Sequence, residues 1–128
     1  MKSSAITGIG VDIESIKRFR DKPFDENEKF YRRLFTDSEI EYCLSKKDPY
    51  PHFAARFCAK EAIKKAIPDD SYLGWKEAEI TNYENGKPYM TLSSGFYDRS
   101  GISPELSIHV SLSHDATQAV ALVIVERE

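Results

Sequence analysis

Ala55 to Ile67 reads ARFCAKEAIKKAI, and the rest of the chain arranges itself around how this stretch packs. Ala55, Ala59, Ala62 and Ala66 recur at the three-and-four spacing of one helical face. Small side chains in a row let a helix backbone come close to its neighbour, here a sheet. The same helix stacks Arg56, Lys60 and Lys64 four residues apart, and like charges at that spacing cost about 0.2–0.5 kcal/mol per pair. With the alanine face buried, the three cations share a flank of the exposed side, and Glu61 and Lys65 occupy the next flank. Glu61 four residues before Lys65 is a favourable helix pair in its own right. A solvated surface tolerates the repelling row, but binding of phosphate uses it directly.

Upstream, Asp48-Pro49-Tyr50-Pro51 interrupts any helix, because proline lacks a donor and restricts its predecessor. The central helix is therefore expected from about His52 to Ile67, stopping at Pro68. Before it, Ile6 to Ile13 reads as a strand with Ile9, Val11 and Ile13 on one face. Gly8, Gly10 and Asp12 take the other face, so Asp12 looks over a patch without side chains. Glu14 to Arg20 and Asp25 to Leu34 read as short helices. Thr36 followed by Glu39 is a capping box opening a helix to about Lys46.

Downstream the pattern changes. Asp69 to Trp75 reads as a loop, and Glu77 to Tyr83 with Pro88 to Ser93 as a hairpin across Glu84-Asn85-Gly86-Lys87. A helical turn is expected over Phe96 to Ser100. Glu105 to Ser113, with Ile108, Val110 and Leu112 inward, pairs with Ala119 to Glu126 through Ser113-His114-Asp115-Ala116. Helices early and antiparallel strands late predict an α+β fold: an antiparallel sheet with one long helix packed on it.

The 128 residues suit one domain spanning 1–128, and 41% hydrophobic with 30% charged residues is too apolar for disorder. No apolar run approaches the ~20 residues of a membrane span, and MKSSAITGIG carries no secretory block. A cytoplasmic protein without a membrane partner is expected. Cys43 and Cys58 fall inside predicted helices, far from a CxxC pattern, and read as buried free thiols. Zinc is not expected. Net charge is −3, yet His52 to Ile67 holds four basic residues and one acid, while Pro68 to Gly86 holds five acids and one lysine. A locally basic surface on an acidic protein points to a particular anionic ligand. Without a broad basic stripe and interleaved aromatics, nucleic acid is disfavoured.

Three motifs carry candidate chemistry. Gly8-Ile9-Gly10-Val11-Asp12 is no dinucleotide fingerprint: its glycines lie in the strand, and the third is missing. An aspartate on the bare face is instead a candidate ligand for Mg²⁺, with Glu61 as the second carboxylate. Ser111-Leu112-Ser113-His114-Asp115 contains serine, histidine and aspartate, but neighbours on a strand and turn cannot converge as a triad. His109 reads as structural and His52 as a helix-start residue.

GIGVDIESIKRF, FYRRLFTDSEI, RFCAKEAIKKA, NGKPY and VSLSHD, in this order and over nearly the whole chain, resemble the small phosphopantetheinyl transferases of the holo-[acyl-carrier-protein] synthase type. The resemblance implies an enzyme that moves the 4′-phosphopantetheine arm of coenzyme A to a carrier-protein serine and releases adenosine 3′,5′-bisphosphate. It implies Asp12 and Glu61 as Mg²⁺ ligands, and Lys65 as a phosphate contact that assists proton removal. Glu61 or water stays open as the base. It places Arg56, Lys60, Lys65, Pro88 and His114 at the coenzyme A site. Arg18, with Lys29 and Phe30 beside it, would meet the acidic acyl carrier protein. The family's short form is usually a homotrimer with sites between subunits. Where relatives continue KEAxxKA with a glycine loop, this chain has Ile67-Pro68-Asp69-Asp70-Ser71. That departure leaves a second reading: a relative that holds coenzyme A or the carrier without transfer.

Overall fold

The computed structural model describes residues 5–68 and 71–127, and it is an α+β fold. Strand β1 (Ala5–Ser15) leads into a single helical turn, α1 (Lys17–Arg20), so Glu14 and Ser15 extend the strand instead of opening a helix. After a 3₁₀ turn at Phe24–Glu26 come α2 (Glu28–Leu34), α3 (Asp37–Leu44) and the long α4 (Tyr50–Ala66). The Thr36 box forms as the sequence predicts: Thr36 Oγ1 accepts from Glu39 N–H, and Glu39 Oε1 accepts from Thr36 N–H. Helix α4 starts earlier than expected because Pro51 sits in its first turn, where no backbone donor is needed.

A second 3₁₀ turn, Trp75–Glu77, precedes the hairpin β2 (Ala78–Asn82) and β3 (Pro88–Leu92). Gly86, at φ +89°, supplies the left-handed residue of its connection. Helix α5 (Ser94–Ser100) follows, capped by Ser93, and then β4 (Leu106–His114) and β5 (Gln118–Arg127). Strand order is β1-β5-β4, all antiparallel, with β2-β3 as a separate two-stranded sheet.

Helix α4 lies on the three-stranded sheet with its alanine face inward. Ala55, Ala59, Ala62 and Ala66 are all buried. The patch of β1 that lacks side chains is covered, not open. A Cβ on Gly8 would lie 1.7 Å from the Ala66 carbonyl oxygen, and one on Gly10 would lie 1.9 Å from that of Ala62. The exposed face of β1 is the apolar one, with Ile9 and Val11 62% and 55% exposed. Across the ladder Ile9, Val11 and Ile13 sit opposite Ile124, Leu122 and Val120, so this apolar surface continues over β5.

The other side of α4 carries an aromatic core. Phe19 packs against Phe30, Tyr31, Phe35 and Phe57, all with ring centroids within about 6 Å. Tyr31 Oη donates toward the carbonyls of Phe19 and Lys22, which fastens α2 to the end of α1. Cys43 and Cys58 are free and buried, and burial pushes each thiol up to about 12, so neither is a reactive thiolate. No helix among the described residues is long and apolar enough to cross a membrane.

Candidate active-site cleft

Alternation along β1 carries the helix-facing side from Gly8 and Gly10 to Asp12 and Glu14. Asp12 comes where the bare strip ends, beside the last turns of α4. Its Oδ1 lies 3.3 Å from Lys65 Nζ, and Lys65 also donates to the Val11 carbonyl at 2.9 Å. Glu61, one turn earlier on α4, lines the same cleft, a cavity of about 320 Å³. Two carboxylates from distant parts of the sequence thus share one opening.

The rest of the cleft divides by chemistry. Glu14 and Arg18 stand on the β1–α1 side, paired at 3.0 Å, with the Arg18 guanidinium 4.7 Å from the Phe57 ring centroid. Phe30, Leu34, Phe57 and Trp75 form an apolar wall. Phe30 therefore faces the cleft, while its neighbour Lys29 is exposed on α2 and does not line it. Glu14, Leu34, Phe57 and Trp75 are the cleft residues that sequence reading missed. Period-two continuation from Asp12 would have found Glu14 had the strand not been ended early. Nothing in the sequence marks Trp75.

The row of three cations resolves differently from either expected reading. Each residue takes its own partner, and two of the three are inside the protein. Lys60 is 1% exposed: its ammonium meets Glu39 Oε1 at 2.8 Å and donates to the carbonyls of Trp75 at 2.8 Å and Ala78 at 2.6 Å. Burial pulls this ammonium below its ordinary range, and Glu39 opposes that pull. With its three donors engaged inside, Lys60 has none free for a coenzyme, where the sequence reading placed it. Lys64 lies 3.3 Å over the Trp75 ring and 3.9 Å from Glu61; burial lowers its affinity for a proton, against Glu61.

Arg56 is buried as well, donating to Asn82 Oδ1 and stacking 4.1 Å over Tyr42, yet it still lines a cleft of about 330 Å³ with Lys46 and Gly86. Its Nε has no partner among the described residues. Pro88 stands opposite Asn82 in the hairpin, so the Arg56 contact and the start of β3 share one end. His114 ends β4 on another edge. Its ring is 5.7 Å from that of His52, in a cleft of about 490 Å³ that also holds Arg20, Lys46 and Lys47. Lys46 lines both basic clefts. Burial, then His114, Arg56 and Lys46, hold His52 below its usual range and keep it neutral near pH 7. Arg56 and His114 are therefore near neighbours of one basic region, and that region is separate from the Asp12–Glu61 cleft within the single chain.

Paired hard carboxylates beside a lysine, with basic clefts nearby, are the equipment of an enzyme that handles phosphate esters. Residues 8–123 match the 4′-phosphopantetheinyl transferase superfamily, and the chain belongs to that family. It is 41% identical over 127 residues to the holo-[acyl-carrier-protein] synthase of Geobacter sp. (strain M21), covering 95% of this chain and 99% of the relative. Among solved structures, it is similar to the Helicobacter pylori holo-[acyl-carrier-protein] synthase in complex with coenzyme A, at 33% identity and TM-score 0.74, covering 91% of this chain and 98% of that one. The Bacillus anthracis holo-(acyl-carrier-protein) synthase in complex with CoA (3′,5′-ADP) aligns at 29% identity and TM-score 0.73, over 96% and 98% of the two chains.

Proposed function

We propose that this phosphopantetheinyl transferase, a single domain over 1–128, moves 4′-phosphopantetheine from coenzyme A to a serine hydroxyl of an apo acyl carrier protein. The observation that carries the reading is the meeting of Asp12 and Glu61 in one cleft, with Lys65 on Asp12. In the reaction the serine oxygen attacks the phosphorus that bears the pantetheine arm. The bond from that phosphorus to the bridging oxygen breaks, and adenosine 3′,5′-bisphosphate leaves with the bond's electrons. The serine proton passes to a base.

Asp12 and Glu61 fit Mg²⁺, which is usually held by one or two protein carboxylates with phosphate oxygens and water completing the shell. When bound, the ion would offset the charge of the pyrophosphate. Lys65, a donor to two oxygens, adds a neutralising ammonium at the same place. That role leaves Glu61, or water it orders, to take the serine proton. Arg56, Pro88 and His114, joined by Lys46, form the nucleotide end of the coenzyme site, while Arg18 and Phe30, with Lys29 at the margin, meet the acidic carrier.

The apolar outer face of β1 and β5 supports a homotrimer, which would bring the basic region of one subunit toward the carboxylate cleft of the next. A cytoplasmic enzyme without a nucleic-acid or membrane partner fits this chemistry. Purified protein, coenzyme A, Mg²⁺ and apo-carrier are expected to yield carrier heavier by one arm in an intact-mass measurement. Asp12→Ala and Glu61→Ala should each lower turnover by about a hundredfold or more with circular dichroism unchanged. Unmodified carrier throughout, with coenzyme A still bound by calorimetry, would overturn transfer in favour of a binding protein.

A further inference from the structure

The mechanism above leaves one buried charged pair without a task. Glu39 and Lys60 are 0% and 1% exposed and lie 2.8 Å apart. Such a pair contributes little net stability, because desolvation cancels much of the attraction. What it does is join four elements. Glu39 caps α3 through Thr36 N–H and accepts from Ile80 N–H of β2, while Lys60 reaches from α4 to the carbonyls of Trp75 and Ala78. The turn at Trp75 is held on its far side too. Glu77 accepts from Gly74 N–H, Ser93 Oγ–H and Arg99, and Arg99 also donates to the Tyr72 carbonyl.

Together these ties hold the main chain on both sides of one indole. Trp75 stacks on Phe57 at 5.2 Å and 20°, carries the Lys64 ammonium over its ring, and lines the cleft beside Glu61. Backbone fixed at this residue means a ring fixed at the mouth of the cleft. The cations suited to the coenzyme's phosphates, Arg56, Lys46 and His114, line other clefts. Trp75 instead shares its wall with Arg18 and Phe30, the residues proposed above to meet the carrier.

We infer that Trp75 is a carrier-recognition residue and that the buried Glu39–Lys60 pair is the positioning device that holds it in place. The inference rests on the function proposed above, and its test separates the two. An indole anchored in a partly apolar wall is the kind of residue that dominates a protein interface. The pair acts only through Trp75: it touches no substrate.

Trp75 is the only tryptophan in the chain, so its fluorescence reports on this site alone. Removing Lys60 by itself would strand Glu39 and risk the fold. The variant to make is therefore E39Q/K60M, in which the glutamine oxygen still accepts from Ile80 N–H while the Thr36 N–H cap and the hold on Trp75 and Ala78 are lost; unchanged circular dichroism checks that α3 still forms. The variant's emission should move to the red, with acrylamide quenching raised at least about twofold. Calorimetry should show its Kd for an apo acyl carrier protein raised about tenfold, with the Kd for coenzyme A changed by less than about twofold. Trp75→Ala should give the same split, and Trp75→Phe should restore most of the carrier affinity. Unchanged emission and quenching in E39Q/K60M would overturn the positioning role. A Trp75→Ala protein that binds carrier as the wild type does, or loses both ligands equally, would overturn recognition. Because these are binding and spectroscopic readouts, they stand even if wild-type protein transfers nothing, which would sink the proposed function instead.

Discussion

Gly10 illustrates how narrowly single residues decide this site. A methyl group there would have to occupy space 1.9 Å from the Ala62 carbonyl oxygen, and a helix carbonyl cannot swing aside as a side chain can. Gly10→Ala is expected to cost about 3 kcal/mol or more in chemical denaturation, at the upper end for overpacking, and to lower activity with it. A loss under about 1 kcal/mol would mean that α4 rides more loosely on β1 than its geometry implies. At this scale the sequence was informative about type and less so about surroundings. That Asp12 and Glu61 line one cleft was foreshadowed by an aspartate on a bare strand face and a lone carboxylate in a cationic helix. Lys60 was misplaced because helical spacing says which residues share a flank, not whether that flank meets water or a buried glutamate.

At the scale of elements, α4 was readable from its alanine periodicity and its proline boundaries. The turn from Tyr72 to Glu77 was not, because its order comes from tertiary hydrogen bonds and not from local propensity. Glu77 is its fastener, and the Arg99 hydrogen bond, followed by the Gly74 N–H, holds its carboxyl below the ordinary 4.5. The sign follows from proton uptake. Below 4.5 the unfolded chain binds this proton more readily than the folded one, so the contribution is complete above that value and fades as pH falls through the lower, folded one. Glu77→Gln should thus lower Tm by roughly 2–4 °C at pH 7, the size expected for a solvent-screened ion pair worth up to about 1 kcal/mol. The deficit should shrink as pH drops below 4.5. A deficit that stays constant down to pH 3 in a calorimetric series would show that the charge of Glu77 does not matter.

For the molecule as a whole, the α+β class and the pairing of β4 with β5 were legible from helices early and alternating strands late. The sequence reading offered the alanine row of α4 as docking closely on a sheet but did not tie it to the glycine face of β1. Alternation separates two faces but cannot say which one a helix takes, and here the glycines went inward. The apolar face left outside is large for a lone subunit. Leu122, central on β5 and opposite both Val11 and Ser111, is where a charge should be least tolerated. Wild-type protein is expected to sediment as a trimer, and Leu122→Glu as a monomer with unchanged circular dichroism. Wild type that stays monomeric at tens of micromolar would refute the assembly. The buried contact on the opposite side of β1 has another consequence. Because backbone rests on backbone there, the separation of the two main chains that carry Asp12 and Glu61 is set by the thickness of peptide groups. Drift in the surrounding core can alter how stable the enzyme is, but it has no handle with which to retune that gap.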